Sequence, residues 1–382
     1  MTKSDKTNLQ APVTKRADSS RRNCIILDTT LRDGSYAVDF KFTLDDTRKI
    51  SSELESAGIQ QIEIGHGWGL NAESAGLGKA SHSDAEYIKA ARESIKSSKF
   101  GCFFIPGVGR TDDLIAARDL GMDFVRIGNN ITQYEKQEPY IRIAKKLGFY
   151  VSSNLLKSYV VSPEQFAQCA RHVAGMGADV AVLVDSSGGM TPSEVRQYIR
   201  AAVGKTQVAL GFHGHNNLGL ANANALVAAE EGATVIDSTL QGIGRSAGNA
   251  VTESLTLLLQ ESNFHTGIDP YRLMDAGEKL IRPYLRHNGG FESIDFVLGL
   301  ARFHSSFVPM VKKVADEFGI DYRHLIVEVS KVNKTDPNVE LTRKVADSMV
   351  GSISVNAGSS LTIEQNVETG ILKTELKTSV TL

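Results

Sequence analysis

Two histidines one residue apart, His213 and His215 in the segment HGH, are the clearest chemical signal in this 382-residue chain. In an extended strand, residues i and i+2 point to the same face. Two imidazoles on one face, separated only by Gly214, suit a divalent cation, and imidazole plus carboxylate is a ligand set shared by Zn, Mn and Fe. HxH alone is served equally well by two histidines making ordinary hydrogen bonds in a loop. A carboxylate is at hand in the run Asp28-Thr29-Thr30-Leu31-Arg32-Asp33-Gly34. There Asp33 would complete a ligand set, and Arg32 would offer a fixed cation to an oxygen that gains charge. Taken alone, the same run also reads as a turn with an exposed Arg–Asp pair, which contributes little. A third signal is the glycine-rich loop Gly242-Ile243-Gly244-Arg245-Ser246-Ala247-Gly248-Asn249-Ala250. Such a loop can turn backbone N–H groups toward an anion, or it can simply pack closely.

These residues need elements to hold them, and the chain supplies a regular series. Short apolar segments read as strands at 24–28, 61–65, 100–106, 124–128, 149–156, 179–185, 207–213 and 234–240. Helical stretches separate them, several closing on a glycine: Gly58, Gly121, Gly148, Gly177 and Gly232. A glycine just past a helix accepts the left-handed conformation that ends it. Ser162-Pro163 and Thr191-Pro192 read as N-cap plus first-turn proline. Eight such units in a row imply a (β/α)8 TIM barrel over 23–264 rather than an open sheet, and no GxGxxG follows the first strand. Barrel active sites form at the C-terminal strand ends. In this reading Arg32, Asp33 and His66 follow the first two strands, Asp185 and Ser186 end the sixth, and His213 and His215 end the seventh. In that setting, with an aspartate available, a metal site becomes the preferred reading of HGH.

After about residue 265 the strands stop. Residues 265–350 read as a small C-terminal helical domain. The segment 351–382 reads as either a disordered tail or edge strands, and residues 1–22 as a flexible polar arm. Lys+Arg 42 against Asp+Glu 44 leaves a formal charge of −2, so no basic excess marks a nucleic-acid or anionic-membrane surface. No apolar run reaches membrane-spanning length. The cysteines Cys24, Cys102 and Cys169 show no paired spacing. A cytoplasmic enzyme with reduced thiols is the expectation.

DTTLRDGS, HGHNN and GIGRSAGNA, in that order on a barrel, resemble the pyruvate-carboxyltransferase-like metal barrels. That group includes 4-hydroxy-2-oxovalerate aldolases, isopropylmalate and homocitrate synthases, and hydroxymethylglutaryl-CoA lyases. TLRDGS followed by FTLDD, HGWGL at 66–70, and the later IRPYL and HSSF segments resemble the aldolases in particular. The resemblance covers roughly residues 24–330. It implies a lyase acting on a 4-hydroxy-2-oxo acid through a pyruvate-type enolate. Asp33, His213 and His215 would be the metal ligands, with Mn²⁺ the expected ion and Mg²⁺, Co²⁺ or Zn²⁺ alternatives. Arg32 would stabilise the enolate, and His66 and Ser186 would help hold the substrate. By likeness to the synthases Asn249 would approach the metal, without being counted as a ligand. The implied partners are a small 2-oxo acid and an aldehyde, an acylating aldehyde dehydrogenase, and further copies of the same chain.

The chain departs from the aldolase pattern in three places. The aldolases carry a histidine, proposed as the base, directly after TLRDGS, where this chain has Tyr36. They carry a tyrosine before the SSF segment, where this chain has His304. The two residue types are exchanged, which suggests that Tyr36 and His304 face each other and that His304 takes over proton transfer. Loss of the base, with different chemistry, is the competing explanation. Arg245 stands where aldolases tend to have a small residue, either reading a second carboxylate or phosphate or simply solvated. Two other functions stay open at this stage: a Claisen-type acyltransferase joining an acyl-CoA to a 2-oxo acid, and a degenerate partner subunit.

Overall fold

The computed structural model describes residues 22–285, 292–357, 359–365 and 372–378. All of the arm but Arg22 lies outside them. Strand β1 (Arg22–Asn23) is followed by β2 (Ile25–Asp28), β3 (Gln61–Ile64), β4 (Lys99–Phe104), β5 (Phe124–Asn130), β6 (Tyr150–Leu156), β7 (Val180–Asp185), β8 (Ala209–Gly214) and β9 (Val235–Ser238). Strands β2 to β9 are all parallel and close into a barrel, with β9 pairing back onto β2. Beside the barrel, β1 pairs with β10 (Phe264–His265). The closed α/β barrel expected from the alternation of strands and helices is therefore what the chain forms.

The pairing register explains both the core and the site. Leu27 pairs with Asp237, Phe103 with Arg126, Arg126 with Ser152, Asn154 with Val182, and Val184 with His213. Side chains alternate along a strand, so these residues all point into the lumen. The lumen's apolar members Leu27, Phe124, Val180, Val182, Val184 and Val235 form one cluster. The alternate residues, among them Ile26, Ile62, Val125, Val151, Leu183 and Ile236, join the larger core under the helices. Local signals set the helices. In Pro163–Met176, Ser162 caps the N-terminus reciprocally with Gln165, and Gly177 at φ 110° closes the other end. Thr191 and Pro192 open Pro192–Ala202 in the same way.

The sequence reading placed the end of the barrel near 265. Leu273, Ala276 and Ile281, however, belong to the barrel's apolar core, because the segment after β10 packs back against the barrel helices. The helices Ser293–Ala301, Val308–Phe318, Tyr322–Val332 and Val339–Ala357 follow. They gather a second core around Phe303, Val311, Leu325, Ile326 and Val329. Further on, β11 (Ser359–Gln365) pairs antiparallel with β12 (Leu372–Thr378). Among the described residues, no single helix is long and apolar enough to cross a membrane.

Candidate metal centre and active site

At the C-terminal mouth of the barrel lies a cavity of about 260 Å³, lined by Arg32, Asp33, Tyr36, Lys157, Ser186, His213, His215, Arg245 and His304 among others. Asp33 arrives on the turn after β2, His213 from the end of β8, and His215 from just beyond it. One ligand atom of each lies within 4.8 Å of the others, and all three residues are buried.

Hydrogen bonds decide which imidazole atoms are free. His213 Nδ1 meets Asp237 Oδ2 at 2.9 Å, and His215 Nδ1 meets the Gly248 carbonyl at 3.2 Å. A carbonyl or carboxylate only accepts, so Nδ1 bears a proton in each ring and Nε2 is the nitrogen left for a metal. This is the arrangement that orients metal-binding histidines. Burial pushes the His215 imidazole down to about 3, with His213 and Arg245 adding to the effect, so its neutral form dominates. Burial alone would raise the Asp33 carboxyl, but Arg32, His215 and His213 outweigh it and hold the group well below the usual carboxylate range. A carboxylate and two imidazoles therefore converge. Asn249 adds to this donor set: its Nδ2 donates to Asp33 Oδ2 at 2.5 Å, while its buried Oδ1 has no hydrogen-bond partner among the described residues. Gly244 must be glycine for this packing, since a Cβ there would lie 2.1 Å from Asn249 Nδ2. The donor set fits a divalent cation.

Beneath the triad runs a buried ionic chain. Arg32 donates through Nη1 to Asp33 Oδ1 at 2.7 Å and through Nε to Glu63 Oε2 at 2.8 Å. Arg126 donates to the same Glu63 oxygen at 2.8 Å and also to Asp237 Oδ2, which meets His213. The proposed carboxylate ligand and one imidazole ligand are thus tied together through Arg32, Glu63, Arg126 and Asp237. The sequence reading missed Glu63, Arg126 and Asp237. Their signal was a charged residue inside each of the apolar strands QIEI, FVRI and VIDS, which is costly unless paired.

The remaining expected residues divide. Tyr36, Ser186 and His304 line the cavity with the triad. The Tyr36 ring packs against Gly67, where a Cβ would come within 2.6 Å of it, and burial pushes its phenol up to about 12. Burial, then Arg245 and Lys157, push the His304 imidazole well below its usual range. Its Nδ1 lies 2.6 Å from Ser306 Oγ and 3.2 Å from the Ser306 N–H. Ser186 Oγ accepts the Lys157 backbone N–H at 3.0 Å. Asp185 instead binds the backbone N–H groups of Ser187, Gly189 and Met190, shaping the loop behind Ser186. His66 is not brought into the cavity. Its ring stacks on Phe40 at 4.0 Å, and its nitrogens meet the Gly78 carbonyl and the Trp68 N–H. The neighbouring Gly67 and Trp68 reach the cavity in its place.

Comparison with known proteins identifies the family. Residues 23–280 match the HMGL-like family model. The chain is 37% identical over 321 residues to a 4-hydroxy-2-oxovalerate aldolase of Carboxydothermus hydrogenoformans, covering 84% of this chain and 96% of that one. It is 38% identical over 312 residues to the aldolase of the same name from Moorella thermoacetica, covering 82% and 92%. Among solved structures, the fold matches the carboxyl transferase domain of Rhizobium etli pyruvate carboxylase with pyruvate, at TM-score 0.72 and 15% identity over 88% of this chain and 63% of that one. It also matches the HMG-CoA lyase of Brucella melitensis, at TM-score 0.57 and 20% identity over 67% and 97%. With a family model spanning most of the barrel and relatives this similar over nearly their whole length, the chain belongs to the HMGL-like family.

Proposed function

We infer that this protein is a divalent-metal-dependent aldolase that cleaves or forms the C3–C4 bond of a 4-hydroxy-2-oxo acid, with Asp33, His213 and His215 as the metal ligands. The observation that carries the reading is the buried triad whose imidazole Nδ1 atoms are both committed elsewhere. The names of its relatives support the reaction class. A bound divalent ion supplies Lewis-acid polarisation of the substrate's 2-oxo group; we assign Mn²⁺, which nitrogen–oxygen ligand sets of this kind accept.

The chain's own groups do the rest. Arg32 spends Nε and one Nη1 hydrogen on Glu63 and Asp33. Its remaining donors, out of five, serve the substrate oxygen that gains charge as the C3–C4 pair becomes an enolate. The Ser186 hydroxyl proton is available to the 2-oxo acid carboxylate. Cleavage requires removal of the 4-hydroxyl proton, and we assign that transfer to His304 Nε2. For Nε2 to take that proton, the ring's own proton must sit on Nδ1, so that Nδ1 gives up the Ser306 N–H it accepts at 3.2 Å and donates to Ser306 Oγ at 2.6 Å instead. Tyr36, held protonated by burial, donates a hydrogen bond to a substrate oxygen. We extend the reading to a homo-oligomer, and to an acylating aldehyde dehydrogenase as acceptor of the released aldehyde; sedimentation alone and with such an enzyme tests both.

The decisive assay is pyruvate release from 4-hydroxy-2-oxopentanoate, coupled to lactate dehydrogenase. It is run on metal-free protein with Mn²⁺, Mg²⁺ or nothing added. Mn²⁺-dependent pyruvate formation is expected. Pyruvate formed at the same rate without any divalent ion removes the metal from the proposal.

A further inference from the structure

Two cations in the cavity have no part in the chemistry assigned above. Lys157, directly after β6, is only 6% exposed. Its Nζ donates to the Thr335 carbonyl and lies 4.9 Å from the Phe307 ring centre. An ammonium has three donors, so two remain. Arg245, in the glycine-rich loop, lies over the Tyr36 ring at 4.6 Å and the Trp68 ring at 5.4 Å. Among the described residues no carboxylate pairs with it. It sits at a boundary, lining both the 260 Å³ cavity and an outer cleft of about 880 Å³. Asn154 also lines the cavity; its Oδ1 is taken by Ser152 Oγ at 3.1 Å, so its amide N–H₂ group can donate.

Charge makes this more than a list of donors. Under the metal site, the carboxylates of Asp33, Glu63 and Asp237 outnumber the guanidiniums of Arg32 and Arg126 by one. A divalent ion turns that deficit into a single positive charge, the complement of the one carboxylate every 2-oxo acid brings. On the opposite side, Lys157 and Arg245 share the cavity lining with two carboxylates: Asp33, already counted with Arg32 on the metal side, and the exposed Asp336. Burying a cation without a partner is costly, so this side has its own unmatched positive charge. The cavity is also smaller than the usual range for ligand pockets, which suits a short carboxylate better than a long phosphorylated chain.

We propose that Lys157 and Arg245 bind a second carboxylate on the aldehyde-derived part of the substrate, making the preferred substrate a short 4-hydroxy-2-oxo dicarboxylic acid. This rests on the aldolase reading and narrows it. In cleavage the C3–C4 bond breaks, its pair stays on C3, and C3 takes up a proton to give pyruvate. The 4-hydroxyl proton leaves, C4 becomes a carbonyl, and the second product is a carboxylated aldehyde; no oxidant or co-reactant is needed.

The test uses the full-length, Mn²⁺-loaded protein and two readouts. Pyruvate is quantified by chromatography from 4-hydroxy-2-oxoglutarate and from 4-hydroxy-2-oxopentanoate. Binding of the unreactive analogues 2-oxoglutarate and 2-oxopentanoate, which differ only in carboxylate against methyl at C5, is measured by calorimetry. One charge-assisted contact predicts a preference of roughly 10- to 100-fold for the dicarboxylate in both kcat/KM and affinity. In Lys157→Met that ratio falls severalfold, to the share that Arg245 carries. If Lys157 instead holds the C1 carboxylate or only braces Thr335, both ligands weaken alike and the ratio survives, which overturns the proposal. Arg245→Gln, in a half-buried loop position, gives an independent reading should Lys157→Met not fold. Pyruvate from the monocarboxylate alone would leave the aldolase standing and sink the second-carboxylate site. Pyruvate from neither substrate would sink the aldolase reading, and the calorimetric ratio would still decide the role of Lys157 and Arg245.

Discussion

The two sides of the cavity are built in different ways. On the metal side, the ligands come from barrel strands or the turns directly after them, and each is fixed by a second partner: Asp33 by Arg32 and Asn249, His213 by Asp237, His215 by the Gly248 carbonyl. On the opposite side, Lys157, Arg245 and His304 come from loops and from the start of the C-terminal helices. Their partners are few: a carbonyl, aromatic faces and one serine. The first side is over-determined by the register of the sheet. The second is set by how the helices after residue 292 pack over the mouth. Chemistry common to many substrates suits the rigid side, while discrimination between substrates suits the side whose residues can change without disturbing the barrel.

The largest effect should come from breaking the rigid side directly. His215→Ala removes one proposed ligand while leaving the Glu63–Arg126–Asp237 chain intact. Bound Mn²⁺, read by elemental mass spectrometry, should become substoichiometric. Pyruvate release should fall by about 10³ or more, reflecting the several kcal/mol that metal polarisation contributes. Retention of stoichiometric Mn²⁺ by this variant would mean that the triad is not the site.

Next in size is the exchanged pair. His304→Ala should lower pyruvate release by about 10²–10⁴, the usual worth of a positioned proton-transfer group, without changing Mn²⁺ content. Tyr36→Phe should cost far less, about tenfold, because a phenol held protonated offers only a hydrogen bond. Burial depresses the His304 imidazole, so its basic form persists below the usual histidine range. The acid limb of the rate profile should therefore lie below about pH 6.5. Equal, small losses in the two variants would show that neither moves the proton.

Asp237→Asn tests the over-determination itself. An outer partner of a metal-binding histidine typically contributes 10- to 100-fold in affinity, so Mn²⁺ binding should weaken by about that much. Asp237 also meets Arg126, which keeps Glu63 as its remaining partner, so thermal melting must be followed alongside. A lower melting temperature with unchanged Mn²⁺ affinity would assign Asp237 to the fold rather than to the metal.

This contrast also explains what could be read in the sequence. The barrel was legible because each unit carries its own punctuation: Ser162 and Thr191 as caps, Gly177 as a stop, a strand of alternating register after it. The triad was legible because HGH and LRDG sit at strand ends, where local sequence and position in the barrel coincide. Glu63, Arg126 and Asp237 were hidden, since no spacing relates a glutamate on β3 to an arginine on β5; only closing the barrel brings them together. Lys157 was hidden for the same reason, facing a segment more than 170 residues away. His66 failed in the other direction. It follows its strand as expected, but the turn carries Gly67 and Trp68 to the cavity and leaves the imidazole stacked on Phe40.

The smallest effect probes the adaptable side through pH. Burial, with Arg245 adding to it and Asp336 opposing, pushes the Lys157 ammonium down to about 8. The groups around it are Asp336, Arg245, the His304 imidazole and the Phe307 ring. Lys157 is therefore charged below about pH 8 and neutral above it, whereas guanidinium groups do not titrate in this range. The ratio of 2-oxoglutarate to 2-oxopentanoate affinity should be highest near pH 7 and fall severalfold as the pH rises through about 8, down to the share that Arg245 carries. Both ligands bring the same C1 carboxylate and 2-oxo group, so titrations at the metal end cancel in the ratio. Lys157→Met should flatten the curve at its high-pH level. A wild-type ratio that stays constant across this range would place the preference on Arg245 alone.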